Sequence, residues 1–130
     1  MKREEQIKYW LESAQHDLET AESLFASKKY DWCLFIAHLV LEKTLKALFV
    51  QNNKNDTPPK SHHLVNLAVL SKIELSDEQK IFLDEVNDFN LEVRYPEYKN
   101  ELYKTCTNKF AEEYLLKIKE YYLWLKSQIK

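Results

Sequence analysis

A chain of 130 residues without a single glycine lacks the residue that takes φ > 0 cheaply and lets a backbone approach a phosphate closely. Average usage near 7% would put roughly nine glycines in such a chain. Phosphate-cradling P-loops and dinucleotide-binding turns both need glycine, so neither is expected. Two-residue hairpins lean on glycine at their central positions, which removes a hairpin-rich β fold. What survives is an all-α domain.

Five segments carry helical periodicity. In the first, Ile7, Trp10, Leu11, Ala14, Leu18, Ala21, Leu24 and Phe25 recur at steps of three and four, ending near Ser27-Lys28-Lys29. The second starts near Asp31 and is apolar nearly all round, the mark of a central helix. Its stretch Trp32 to Val50 has transmembrane length but contains Glu42, Lys43 and Lys46, and such charges are expensive in lipid. A short third helix is expected after Ser61, a candidate N-cap before His62-His63-Leu64-Val65. Ser76 and Gln79 form a capping box for the fourth, which carries Phe82, Val86, Phe89 and Val93 on one stripe. That helix is expected to run to Arg94 or Tyr95, because the residue before Pro96 is pushed out of the α region. The fifth has Phe110, Tyr114, Ile118, Tyr121, Leu125 and Ile129. Four amphipathic helices and a short extra one make an up-and-down four-helix bundle, one domain over residues 1–130. With no glycine, helix C-termini must be capped by asparagine or fray, and Asn52, Asn53 and Asn55 follow the second helix suitably.

The charged opening Met1-Lys2-Arg3-Glu4-Glu5 has no apolar run behind it and does not read as a secretory leader. Two cysteines, Cys33 and Cys106, make neither a disulfide framework nor a metal spacing. Both are expected as reduced thiols in the cytoplasm. Residues 72–101 hold four basic and nine acidic side chains, net −5, and residues 104–130 hold six lysines against three glutamates, net +3. These regions read either as solvated helix faces or as complementary docking faces.

Lysine outnumbers arginine 17 to 2, so Arg94 stands out. On a continuous helix Asn87, Asn90 and Arg94 lie within about 60° on one stripe. That stripe serves either as a polar network closing the helix C-terminus or as a phosphate or carboxylate contact at a cleft. His38, Glu42 and Lys46 follow at steps of four, and Glu42 to Lys46 is the favourable direction for an ion pair. His38 with Glu42 supplies two ligands of a metal site and no third, so a structural pair is the better reading. His62 and His63 begin a helix, where anions are favoured, or are ordinary surface and cap residues. No nucleophile motif is visible, and no sequence signature calls for a cofactor.

Trp10, Ala14, Asp17-Leu18 and Ala21, then Tyr30, Phe35, Ala37 and the block Leu41-Glu42-Lys43-x-Leu45-Lys46-Ala47-Leu48, resemble the HEPN domain family (higher eukaryotes and prokaryotes nucleotide-binding). The histidine before Leu64 and the tripeptide Arg94-Tyr95-Pro96 extend the resemblance from about Tyr9 to Leu125. It implies a four-helix bundle, a homodimer, and a minimal nucleotidyltransferase as partner in toxin–antitoxin-like gene pairs. Many members are metal-independent ribonucleases with an Arg, four to six residues, then a His. Here the positions after Arg94 are Lys99, Asn100 and Glu101, and those after Arg3 are Lys8, Tyr9 and Trp10. The motif is incomplete, and the proton-transfer group that arginine cannot replace is missing from it. The leading expectation is a nucleotide-binding or nucleotidyltransferase-partner protein, without membrane attachment, whose cleft uses Arg94, Asn87, Asn90, Tyr95, Lys43, Lys46, His62 and His63. The alternatives are a ribonuclease toxin with a relocated histidine, His62 or His63, acting on RNA, and a structural dimer subunit without ligand.

Overall fold

The computed structural model describes residues 2–54, 57–90 and 104–130. Among the described residues the main helices are, in chain order, α1 (Arg3–Ala26), α2 (Tyr30–Asn53), α3 (Leu64–Leu70), α4 (Asp77–Asn87) and α5 (Asn108–Lys126). Among the described residues there is no strand. The all-α architecture expected from the missing glycines and the helical periodicity is what the chain adopts.

Helix α2 is the axis of the bundle. Fourteen of its 24 residues are buried, far more than a one-sided stripe requires, so it has neighbours on several sides. Helix α1 runs antiparallel to it, Lys43 meeting Asp17 and Ser13 near the middle and Tyr30 meeting Phe25 at the turn. Ala14 and Ala21 are fully buried on α1, and their small side chains let the two helices approach closely. Helix α5 runs parallel to α2, with Asn108 bonded to Tyr30 at one end and Gln51 bonded to the Gln128 carbonyl at the other. The core is made of Leu34, Leu41, Leu45 and Leu48 of α2 against Leu18, Leu67, Phe82, Ile118 and Leu125. Among the described residues no helix is long and apolar enough to cross a membrane.

The α4 N-terminus matches its sequence signature. The Gln79 N–H donates to Ser76 Oγ, and the Ser76 N–H donates to Gln79 Oε1, so two end donors of the helix are satisfied reciprocally. Elsewhere the helix ends differ from expectation in three ways. Helix α3 is capped by His63, whose Nδ1 accepts from the Asn66 N–H, while Ser61 Oγ accepts from the His63 N–H just before it. Helix α4 stops at Asn87, not near Arg94. Three successive bonds, from the N–H groups of Asp88, Phe89 and Asn90 to the carbonyls of Glu85, Val86 and Asn87, wind the chain into narrower 3₁₀-type turns. This turns Phe89 inward onto Phe110 and Tyr114. Asn90 is therefore not on the helix that ends at Asn87, and Arg94, the third member of the expected stripe, lies outside the described residues.

The helix C-termini supply the third difference. Among the described residues the left-handed positions fall to Lys28, Lys54 and Lys72, at φ of 64°, 52° and 63°, not to Asn52 or Asn53; Asn55 lies outside the described residues. After α1 the Lys28 N–H donates to Phe25 O and the Lys29 N–H to Leu24 O; after α3 the Lys72 N–H donates to Val69 O and the Ile73 N–H to Ala68 O. Both pairs are the 5→2 and 6→1 bonds of a Schellman close, made here with a β-carbon in place. Asn53 does bond the end of its own helix, donating to Phe49 O, and Asn52 and Asn53 also donate to the carbonyls of Ser71 and Leu70, so capping α3 from outside.

Between α4 and α5 a seam of rings replaces aliphatic packing. Phe89 meets Phe110 and Tyr114 edge-on, Phe82 stacks on Tyr114 at 6.0 Å and lies 4.5 Å from Tyr121, and Tyr121 continues to Trp124. The pairings 89 with 110 and 82 with 121 make these two helices antiparallel.

Candidate functional site

The polar residues of α2 do not point to water. Glu42 is 4% exposed and Lys46 8%, in the middle of the most buried helix. Ionised groups there are costly unless paired and hydrogen-bonded. Lys46 Nζ donates to Glu42 Oε2 at 3.1 Å and lies 5.3 Å from the Trp10 ring centroid, so the expected ion pair of the helix is present. The other carboxylate oxygen, Oε1, takes His62 Nδ1 at 2.7 Å. One carboxylate thus binds two partners, one from its own helix and one from the segment that leads into α3.

His62 is held by its backbone as well. Its carbonyl accepts from Asn87 Nδ2 at 2.7 Å and from His38 Nε2 at 3.2 Å, while Asn87 Oδ1 accepts the Leu64 N–H at 2.7 Å. Asn87 therefore ties the end of α4 to the first residue of α3. His38, one turn before Glu42 on α2, supports the backbone of His62. With Nδ1 donating to the carboxylate, the neutral His62 ring carries its lone pair on Nε2. The side chain is 44% exposed, against 5% for that of Glu42. A buried carboxylate fixing the tautomer of a half-exposed imidazole is an arrangement suited to moving a proton or contacting a phosphate oxygen.

The other expected site residues are distributed as follows. Lys43 belongs to a separate contact on the α1 side of α2, 2.7 Å from Asp17 Oδ2 and 2.8 Å from Ser13 Oγ. His63 is a surface residue whose Nε2 lies 3.8 Å from Asp84 Oδ1. Asn90 is 2% exposed, just past the end of α4. Arg94 and Tyr95 lie outside the described residues. The fold thus brings Lys46, His62 and Asn87 together around Glu42 and His38, and leaves Lys43 and His63 at its margins. Glu42 as a hub for His62 is the relationship that the sequence does not announce, since 20 residues separate the two and only the packing of α3 joins them.

Both thiols are buried, in surroundings that disfavour the thiolate. Burial, together with Cys106 and Glu22, pushes Cys33 up to about 12; burial and Asp31 push Cys106 up to about 11. At such values the reactive thiolate is scarce. Among the described residues no three His, Cys, Asp or Glu side chains converge as a metal site requires.

No curated protein matches the sequence. In structure the chain is similar to the crystal structure of TT1696 from Thermus thermophilus, with a TM-score of 0.78 over 99% of this chain and 100% of that one. At 20% identity this likeness concerns the fold. The HEPN domain family model matches residues 7–128, from the second turn of α1 to beyond the end of α5, and the chain belongs to that family.

Proposed function

We propose that this chain is the nucleotide-binding HEPN subunit of a cytoplasmic two-gene, toxin–antitoxin-like pair. Its partner is a minimal nucleotidyltransferase, it works as a homodimer, and the ligand is engaged through His62. The observation that carries the reading is the buried carboxylate of Glu42 holding a half-exposed imidazole at 2.7 Å. A cluster of ionisable groups on a central helix seldom contributes more stability than apolar side chains of similar volume. Function is a better reason for it than stability. The incomplete Arg-to-His motif favours binding over catalysis, and Arg94 of the tripeptide Arg94-Tyr95-Pro96 supplies the cation for a phosphate in this reading. Lys43 and Lys46 contribute less, since each already faces a carboxylate.

Calorimetric titration of the full chain with ATP, GTP and short RNA oligonucleotides tests the proposal. Saturable binding that weakens at least tenfold in His62→Ala and in Arg94→Ala is expected. Absence of binding, or equal binding by both variants, overturns it. Co-expression with an adjacent nucleotidyltransferase frame tests the partner separately: a stable complex is expected, and two independently migrating proteins contradict that part.

The tautomer of His62 favours a second reading, metal-independent RNA cleavage. Nε2 as acceptor takes the 2′-hydroxyl proton, the 2′-oxygen attacks phosphorus, and the 5′-oxygen leaves with a proton from solvent, producing a 2′,3′-cyclic phosphate. RNA incubated with the protein in EDTA should then acquire cyclic-phosphate ends, and His62→Ala should abolish them. Intact RNA after long incubation at high protein concentration disposes of this reading.

A further inference from the structure

Lys46 lies one turn beyond Glu42 on α2 and directs its charge at the carboxylate that also holds His62. Its Nζ donates to Oε2 at 3.1 Å, while His62 Nδ1 stands 2.7 Å from Oε1. The Trp10 ring of α1 lies 5.3 Å from the ammonium, within cation–π reach. Glu42 and Lys46 are both buried, so water does little to screen one from the other.

Two groups able to carry positive charge thus share one carboxylate. An ammonium ordinarily keeps its charge over the whole range in which an imidazole titrates, so the ion pair is already neutral when His62 meets it. A second proton on the ring would leave the cluster with a net positive charge, and like charges on the two oxygens of one carboxylate oppose that. The other groups around His62 do not reverse this balance among the described residues. His38 of α2 and Asn87 of α4 face its carbonyl, not its ring. Lys60 and His63 beside it in the chain are exposed, and Asp84 of α4 faces His63. From α1, Trp10 reaches the cluster through Lys46.

We propose that Lys46 is a positioning residue for His62: by neutralising Glu42 it keeps the imidazole uncharged at neutral pH, with Nδ1–H on the carboxylate and Nε2 bare as an acceptor. The inference rests on the reading of His62 as the ring that engages the ligand, and it gives that reading a direction. The ligand atom that meets Nε2 carries a proton, as a hydroxyl or an amine does, and the charge of a phosphate is met elsewhere. Without Lys46 the ring becomes the counter-ion of Glu42 and turns from acceptor to donor.

Nitrogen NMR of the full chain without ligand tests the proposal, since bare and protonated imidazole nitrogens resonate far apart. In wild type at neutral pH, Nδ1 of His62 should be protonated and Nε2 bare. Lys46→Met should raise the midpoint of the His62 titration by about one pH unit, a tenfold change in proton affinity. Lys46→Gln, which keeps a hydrogen bond but no charge, should raise it as well. Lys46→Arg should restore the wild-type midpoint, and Lys119→Met, which removes an ammonium paired with Glu22 between α5 and α1, should leave it in place. The proposal is overturned by a wild-type ring protonated on both nitrogens or bare at Nδ1, by wild-type midpoints in Lys46→Met and Lys46→Gln, or by an equal shift in Lys119→Met. All of this is read without nucleotide, so a failure of ATP, GTP or RNA to bind would count against the ligand and not against the action of Lys46 on the ring.

Discussion

Two parts of this bundle hold charged side chains beside aromatic rings, and they do so in opposite ways. Around α2, Glu42 and Lys46 are buried, and each ionic group has a fixed partner. Along the α4–α5 seam the rings take the interior and the carboxylates stay at the rim, exposed to water. The first arrangement makes electrostatics part of the packing, so removal of one member strands another. The second leaves packing to the rings and keeps the carboxylates in water. The contrast makes loss of a charge costly at α2 and loss of a ring costly at the seam.

The largest effects should come from one truncation in each region, and the way each is rescued separates them. Phe82→Ala removes a ring that is 2% exposed and touches Tyr114 and Tyr121, at a cost of about 4 kcal/mol in urea unfolding. Glu42→Ala leaves Lys46 buried without its carboxylate and should cost about 3 kcal/mol. The double variant Glu42→Leu/Lys46→Met should recover most of that loss, since an apolar pair of similar volume strands no charge. No single companion change refills the hole at Phe82. If Glu42→Leu/Lys46→Met is as unstable as Glu42→Ala, the cluster is held by something other than its ion pair and the comparison fails.

A smaller effect tests whether the cluster is tied to α4. Asn87→Ala takes one donor from the His62 carbonyl and the acceptor from the Leu64 N–H. It should cost about 2 kcal/mol through partners left unsatisfied and broaden the His62 ring resonances in NMR spectra. Unchanged resonances would mean that Glu42 and His38 alone position the ring.

How much of each region can be read from the chain follows from the range of its contacts. The helices, the Ser76–Gln79 box and the Glu42–Lys46 pair are relations within one or two turns, and local spacing reveals them. His62 reaches Glu42 across 20 residues and a loop, with no period linking them. The end of α4 is hidden because Phe89 and Val93 continue the apolar stripe in sequence, whereas in the fold Phe89 is drawn in by Phe110 and Tyr114. The Thr107 cap of α5, whose Oγ1 accepts the Phe110 N–H, has only a weak local signal, since no glutamate or glutamine follows at the third position to complete a capping box. Arg94 and Tyr95, which stand out most by composition and motif, lie outside the described residues.

The seam should also respond to pH. The Tyr114 hydroxyl donates to the Glu85 carboxylate, which with burial pushes the phenol up from 10.0 to about 12. A folded-state value above the unfolded one contributes stability that is whole below about pH 10 and is lost as the pH climbs toward 12. The buried thiols add a loss of the same sign that begins near pH 9. Comparing wild type with Tyr114→Phe isolates the phenol: the variant should unfold less steeply between pH 10 and 12, with the two curves parallel from pH 8 to 9.

The smallest expected effect is a gain, and it lies outside both charged regions. Lys28 and Lys72 sit at positive φ after α1 and α3, where a β-carbon costs about 1–2 kcal/mol. Glycine removes that strain but loses about 0.5–1 kcal/mol of additional backbone freedom on folding. Lys28→Gly and Lys72→Gly should therefore each stabilise the chain by about 0.5–1 kcal/mol, measured as a shift in the urea midpoint at constant slope. Lys72 closes the helix whose first turn carries the His62 anchor, so its variant should also slow amide exchange at Leu67 and Ala68 without altering exchange along the α4–α5 seam. Equal slowing in both regions would mean that they open as one unit. A loss of stability would show that the lysine side chains, not the backbone, hold these turns, and that a chain without glycine has made the left-handed position useful to lysine.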